Sequence, residues 1–523
     1  MEALIEVVGL VAVVVAVAAI ARRFGLLAPI LLVVVGLALS FVPGIPVPTV
    51  DQELVITVIL PPLLYVAALD MSVPAFRFNL RPILLLAVGH VLFIATAVGI
   101  LVHALLPSVP LAACLALGAV VAPPDAVSAT AVARRIGLSR RVVTILEGES
   151  LLNDATALVL FRVAVAAAVG TAITPGQIAV EVVVAAGGGI LVGAIGAVVF
   201  RFLHQRTTDP LLDNALSLLT PFAVAAAAEQ LHGSGVVAVV VTGLYLGHRL
   251  PTLMSAASRL QMHAFWKMVK FLLEGLVFLV VGLQLRGIVA DLNTPVGEFV
   301  LLTTVVLLTV VVGRFVWVFP ATYLPRRIPS IRRRDPSPPR SVPIVISWAG
   351  MRGVVTLATA LALPATLAGH TLYPRALFVW LGFAVIVFTL VLQGTTLPLV
   401  ARLVKPPPDD RTQDYLAEAQ VQNLASRAAR ARLDEHADGA PPDVVARLRR
   451  LTEDRSNAVW ERLGGTAETP SSAYVRLRRE MLDAEREVFR TARDEGRIPE
   501  EVLVRAQRQM DLEESLLERS GEK

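Results

Sequence analysis

Glu147-Gly-Glu149-Ser150-Leu-Leu-Asn153-Asp154-Ala-Thr156-Ala-Leu-Val-Leu-Phe-Arg162 sets three carboxylates and an amide at the head of an apolar run. That run continues from Ala155 to Gly170, interrupted only by Arg162. Its flanks read as a membrane-spanning helix, and an ionised group in hydrocarbon costs several kcal/mol unless it is paired, hydrated or protonated. On a helix Glu149 and Asn153 are four residues apart, as are Ser150 and Asp154, and the two pairs form adjacent rows. Ser150, Asn153 and Asp154 can therefore converge on one small ligand. A carboxylate, an amide oxygen and a hydroxyl favour a hard cation, or a proton on the same carboxylate.

Outward from this stretch the chain is apolar throughout its first four-fifths. It has 523 residues, 55% hydrophobic, with a mean hydropathy of +0.69, outside the range of an ordinary soluble globule. Cys114 is its one cysteine, so no disulfide framework and no cysteine-based metal site is expected. Apolar runs of membrane-crossing length recur thirteen times, near 3–21, 26–43, 53–70, 82–106, 109–133, 142–170, 176–203, 211–231, 235–248, 264–285, 298–322, 342–367 and 375–402. The first starts at Ala3 with no basic flank ahead of it and reads as a span, not a cleaved leader.

The loop charges orient these runs. Arg22 and Arg23 follow the first, Arg77 and Arg81 the third, and Arg134, Arg135, Arg140 and Arg141 the fifth. Arg201 and Arg206 follow the seventh, Arg249 and Arg259 the ninth, Arg326 to Arg340 the eleventh and Lys405 the last. Loops after even-numbered runs carry almost nothing basic, only Arg286 and Arg375. The positive-inside rule then makes the odd loops cytoplasmic, with the N-terminus outside and the C-terminus inside. The net charge of +5 and pI of 9.6 reflect this loop bias, not nucleic-acid binding. Composition changes at Pro406-Pro-Pro-Asp409-Asp410. Residues 406–523 are rich in Arg, Glu and Ala, with helical spacing at Val475, Leu477, Met481 and Leu482. Breaks at Gly439-Ala-Pro-Pro, Gly464-Gly465 and Gly496 to Pro499 divide them into about four helices of a cytoplasmic tail, appended to a 1–405 membrane domain. A spacer role and a regulatory role for the tail are equally open.

Two further polar clusters interrupt apolar runs. Ala122-Pro123-Pro124-Asp125-Ala126 lies in the fifth, with Ser128 and Thr130 beyond it. Two prolines remove backbone donors and open the helix, and opened backbone at membrane depth belongs where it lines a cavity or is buried in protein. Ser347-Trp348-Ala-Gly350-Met-Arg352-Gly353-Val-Val-Thr356 lies in the twelfth. Its glycines permit a break, and Arg352 needs a buried anion, with Glu149 the natural partner and Glu147 the alternative. The two breaks are seven runs apart, so their segments run in opposite directions, as in an inverted repeat whose site lies where two broken helices cross. Lys270 and Glu274, four residues apart, read as a structural pair. Arg314 reads as buried with no assigned partner, Asp70 as interfacial and His90 as a packed histidine.

Together these residues resemble the monovalent cation:proton antiporter family of the sodium/proton exchanger type. Gly148-Glu149-Ser150-Leu-Leu-Asn153-Asp154-Ala-Thr156 looks like its most specific motif. Pro124-Asp125 matches its first unwound helix and Gly350-Met-Arg352-Gly353 its later one, and the resemblance covers about residues 1–405. It implies an all-α polytopic membrane protein of about thirteen helices, with inverted repeats and two broken crossing helices. It also implies a homodimer in which each subunit has a scaffold and dimerisation domain and a six-helix ion-carrying core. By position, Asp154 would carry the ion and proton, with Asn153, Asp125 and Ser150 contributing. Na+ would sit at Asp154, Asp125 and Ser150, and Glu149 with Arg352 would form a stabilising ion pair. Asn153-Asp154, in place of two aspartates, resembles the electroneutral branch.

The expected activity is exchange of Na+, with Li+ and K+ as further candidates, for H+ across the plasma membrane. No enzyme activity, cofactor or nucleic-acid partner is expected, only the transported ions and membrane lipid. A buried carboxylate favours its neutral form, a bound cation favours its charged form, and the two ligands compete. A cation channel with a cytoplasmic gate would show a repeated pore loop or an acidic ring, and neither is present. An intramembrane aspartyl protease built on Asp125 and Asp154 would leave Asn153 and Arg352 without a role.

Overall fold

A computed structural model describes residues 2–43, 55–169, 175–290, 292, 294–364, 374–409, 411–461, 469–495 and 497–521. The chain divides into two compact units, Met1–Pro408 and Asp409–Lys523.

In the first unit the described parts of the apolar runs form helices or interrupted helices. They are α1 Glu2–Phe24, α2 Ala28–Leu39, α3 Thr57–Asp70, α4 Leu80–Leu105, α5a Leu111–Val121 and α5b Ala126–Arg135. Then follow α6 Arg140–Ala168, α7 Pro175–Arg206, α8 Pro210–Gln230, α9 Gly235–Leu253, α10 Ala256–Ala290 and α11 Val296–Tyr323. The series closes with α12a Ser341–Trp348, α12b Val354–Leu361 and α13 Arg375–Val404. Among the described residues nine helices are individually long and apolar enough to cross a membrane. Their outer faces carry exposed large apolar side chains such as Val183, Leu191, Val198 and Leu308. In water such a surface would drive association; in lipid it is the solvated face.

Small residues let helices approach closely. A Cβ added to Gly282 of α10 would stand 2.9 Å from the Gly36 Cα of α2, so these two glycines bring the two backbones into contact. Two π-helical stretches, Leu85–His90 in α4 and Thr389–Gln393 in α13, free backbone groups that other side chains then use. Trp317 of α11 donates its indole N–H to the Leu85 carbonyl at 2.8 Å.

Two sets of loop contacts agree with the parity of the loop charges. Asp335, beyond α11, accepts from Arg141 at the start of α6 at 2.6 Å and from Arg326 at 2.7 Å, and also pairs with Arg81. Loops following α3, α5b and α11 therefore share one side. Arg286, at the end of α10, donates to the Ser40 carbonyl beyond α2 at 2.9 Å, which joins two even-numbered loops.

The second unit comprises α14 Arg411–Glu435, α15 Pro442–Glu461, α16 Pro470–Asp494 and α17 Glu500–Gly521. α14 packs on α15, and α16 on α17. Leu482, Met510 and Leu517 are buried between α16 and α17, and Arg478 grips Glu513 through two hydrogen bonds of 2.6 and 2.9 Å. The breaks expected at Gly464-Gly465 and Gly496 lie outside the described residues. A Thr469–Ser472 capping box starts α16.

Candidate functional site

The two interrupted helices meet at their breaks. Proline at 123 and 124 ends α5a at Val121, and α5b does not begin until Ala126. α12a stops at Trp348 and α12b resumes at Val354, with Gly350 and Gly353 between them. The Asp125 N–H donates to the Met351 carbonyl at 2.7 Å, one backbone hydrogen bond joining the unwound strands. A Cβ on Gly353 would lie 2.6 Å from Asp125 Oδ2, so only glycine admits this carboxylate.

Four half-helix ends thus converge. A helix N-terminus carries roughly half a positive charge and a C-terminus half a negative one. Asp125 sits immediately before α5b and against Gly353 at the start of α12b, where its carboxylate faces two N-terminal ends. Arg352 faces the C-terminal ends. It donates through Nε to the Val121 carbonyl at 3.2 Å, through Nη2 to the Ala122 carbonyl at 3.3 Å and through Nη1 to the Gly350 carbonyl. Its own N–H is taken by Thr389 Oγ1 at 3.0 Å, from the π-helical stretch of α13. The crossing is thereby neutralised by one acid and one base set at opposite poles.

α6 lies against this crossing. Asn153 donates Nδ2–H to the Pro124 carbonyl at 2.6 Å, holding backbone that the prolines left open. Its Oδ1 is buried with no hydrogen-bond partner among the described residues. One residue on, Asp154 is 7% exposed and accepts no hydrogen bond from a described residue. Its carboxylate faces a cavity of about 110 Å³, shared with Asp125, Ser150, Thr130 and Thr356. Thr356 Oγ1 is buried there without a partner among the described residues. The structure therefore brings Asp154, Asp125 and Ser150 to one small chamber, with Asn153 behind its wall. The Ser128 side chain lies outside the described residues. Such a set of carboxylate and hydroxyl oxygens suits a small hard cation.

The ion pair differs from its sequence-based assignment. Glu149 accepts from Arg314, not from Arg352, through a bidentate pair of 2.7 and 2.8 Å. The Arg314 side chain is 0% exposed and that of Glu149 1%. Arg314 also donates Nε–H to the Ile346 carbonyl of α12a at 3.1 Å. Glu147, the alternative partner of Arg352, is instead paired with Arg134 at 2.7 Å. Spacing within a run says that each buried arginine needs compensation. It does not say which arginine reaches Glu149 across three helices. The signal for Arg314 was its place in an apolar run whose one acid, Glu298, lies in the first turn of the helix, far from the arginine.

Lys270 and Glu274 also face this cavity, from α10, and sequence reasoning missed that. They do pair, at 3.8 Å, as their spacing suggested.

Comparison with known proteins agrees with the architecture. Residues 9–403 match the family profile described as sodium/hydrogen exchanger, transmembrane. An uncharacterized Na(+)/H(+) exchanger of Mycobacterium tuberculosis is 37% identical over 98% of this chain and 95% of its own length. A sodium, potassium, lithium and rubidium/H(+) antiporter of Bacillus subtilis is 30% identical over 93% of this chain and 74% of its own. The fold is shared with the sodium proton antiporter MjNhaP1 from Methanocaldococcus jannaschii, at a TM-score of 0.61 and 18% identity, over 77% of this chain and 99% of that one. This chain belongs to the sodium/hydrogen exchanger family.

Proposed function

We propose that this protein exchanges Na+, with Li+ and K+ as further candidates, for H+ across the plasma membrane, and that Asp154 carries both ligands in turn. One observation carries the reading: the Asp154 carboxylate stands in a small oxygen-lined chamber, beside a second carboxylate, with no cationic side chain among the described residues hydrogen-bonded to it. A charged Asp154 attracts a cation and a protonated one does not, so occupation by either excludes the other. Asp125 and Ser150 are the further ligands to Na+, and Asn153 holds the crossing in register. The cavity reaches Asp70 at the end of α3 and Arg134 at the end of α5b. With the odd loops cytoplasmic and the N-terminus outside, that is its inner mouth. Thirteen crossings, a cytoplasmic tail and a homodimer complete the reading. Nothing in the comparisons favours the channel or the protease.

Proteoliposomes with an imposed pH gradient test it directly. Addition of Na+, Li+ and K+ in turn is expected to dissipate the gradient, and Asp154→Asn to abolish the response while the protein stays folded. Near-wild-type exchange by that variant removes Asp154 from the role. If Asp154 alone changes its proton in each cycle, exchange is one for one and an imposed membrane potential leaves the rate nearly unchanged. An uncompensated charge would feel about 2.3 kcal/mol per 100 mV, so strong voltage dependence would mean that Asp125 or another group cycles a proton too.

A further inference from the structure

The cavity below Asp154 holds two basic side chains of its own, a curious lining for a chamber that must admit a cation. Arg134 is engaged: its Nη2 lies 2.7 Å from Glu147 Oε1. Lys270 is not held in this way. Its Nζ is 3.8 Å from Glu274 Oε1, beyond hydrogen-bond length, and that oxygen is buried without a hydrogen-bond partner among the described residues. A charge-assisted hydrogen bond would be about 2.7–2.9 Å long, so the two groups form an ion pair without a hydrogen bond. The Lys270 side chain is 35% exposed and that of Glu274 20%, and both line the cavity. Lysine is a compact, strongly hydrated point charge on a flexible four-carbon stem, and its ammonium offers to a carboxylate the same unit charge as Na+.

We infer that Lys270 is a tethered competitor of the transported cation, and that Glu274 is the counter-charge that restrains it. The inference rests on the reading of Asp154 as the carrier. With Glu274 ionised beside it, the ammonium is largely neutralised and the cation enters past a weakly dipolar pair. Without Glu274, the ammonium repels incoming Na+ and is free to turn towards Asp125 and Asp154. Without Lys270, Glu274 becomes an uncompensated carboxylate that attracts Na+ into the chamber. The pair thus sets the Na+ concentration at which the carrier half-saturates. Lys270 and Glu274 are affinity-setting residues, not carriers.

The test is Na+-driven proton release in proteoliposomes at alkaline pH, with the half-saturating Na+ concentration as the readout. A unit charge some turns of helix away is worth about tenfold in affinity at the effective dielectric of a hydrated cavity. Lys270→Gln is expected to lower the half-saturating concentration about tenfold and Glu274→Gln to raise it about tenfold. Lys270→Arg should stay nearer to wild type than Lys270→Gln. The double variant should return to within about threefold of wild type, because both charges are gone. Shifts of the two single variants in the same direction, or a double variant in which they add, overturn the inference. Should Glu274→Gln fail to fold, the contrast between Lys270→Gln and Lys270→Arg decides alone, since a bracing role predicts no gain in apparent affinity. Wild-type exchange with an inactive Asp154→Asn but no opposed shifts refutes this inference only. Exchange retained by Asp154→Asn refutes the carrier reading beneath it.

Discussion

Arg314 and Arg352 are both 0% exposed, lie within one neighbourhood and solve the same electrostatic problem in different ways. Arg314 is matched by a carboxylate, through the two hydrogen bonds to Glu149. Arg352 is matched by backbone, through the carbonyls of Val121, Ala122 and Gly350. Two helix C-termini, each worth roughly half a negative charge, together offset one guanidinium. The first arrangement locks α6 to α11 whatever the crossing does. The second exists only while α5a and α12a both end at this point. A buried arginine in a membrane helix therefore signals a need for negative charge without naming its source. Gly350 lies between the two, since a Cβ there would stand 2.5 Å from Arg314 Cδ and 3.1 Å from Arg352 Nη1.

The largest effect expected from this contrast is on stability. Glu149→Gln or Arg314→Gln strands a buried charge and should cost about 3–5 kcal/mol each. The pair of changes together should cost much less than their sum, in thermal unfolding of the purified protein. Glu149→Gln combined with Arg352→Gln should come much nearer to additive. The reverse pattern of coupling would restore Arg352 as the partner of Glu149 and break the comparison.

Next in size is the loss of the backbone cap. Lysine cannot reach three carbonyls with a planar fork, so Arg352→Lys should lose about 1–3 kcal/mol and most of its transport. Arg314→Lys keeps a point charge for Glu149 and should retain more of both. Equal losses in the two variants would mean that the arginines do the same work.

Gly353→Ala sharpens the opposite pole. Its Cβ would meet the Asp125 carboxylate, and overpacking of this kind costs about 1–3 kcal/mol. The expected signature is a large fall in exchange rate with a modest fall in melting temperature, because Asp125 is displaced from the chamber while the Glu149–Arg314 lock is untouched.

The smallest effect is at Asp335, which meets three arginines in a loop cluster instead of one in hydrocarbon. Partial burial would raise its carboxyl, but hydrogen bonds from Arg141 and Arg326 and their charges outweigh this and hold it below the usual carboxylate range. A depressed folded value stabilises the protein above the unfolded value of about 4, and that contribution fades as pH falls through the folded value. Asp335→Asn should therefore cost about 1 kcal/mol or less near neutral pH. The difference should shrink in high salt and vanish in acid. The Glu149–Arg314 pair should show no such salt dependence, being sealed from solvent.

Much of this molecule could be read from particular residues. Runs of some twenty apolar residues can bury themselves only in lipid, so the helices followed from composition. Pro123-Pro124 and the Gly350–Gly353 bracket interrupt helices wherever they stand, because proline lacks a donor and glycine lacks a Cβ. Ser150 and Asp154 share a helix face by spacing alone, and the loop arginines sorted by parity before any coordinates placed Arg81, Arg141 and Arg326 around Asp335. Spacing along one helix is a local property, fixed by 3.6 residues per turn.

What remained for the tertiary structure were contacts between helices distant in sequence. Glu149 and Arg314 are 165 residues apart and Asn153 and Pro124 are 29. No local rule gives the rotation and depth at which their helices meet. Lys270 and Glu274 were legible as a pair, but whether α10 turns them to lipid, to a neighbour or to the chamber of Asp154 depends on the packing of α10 against α2, α3 and α12b. Sequence by itself determined which groups must be compensated, since the cost of burying charge belongs to the residue. Only the assembled bundle decided which group compensates which, since Coulomb and hydrogen-bond energies depend on distances that the chain acquires by folding.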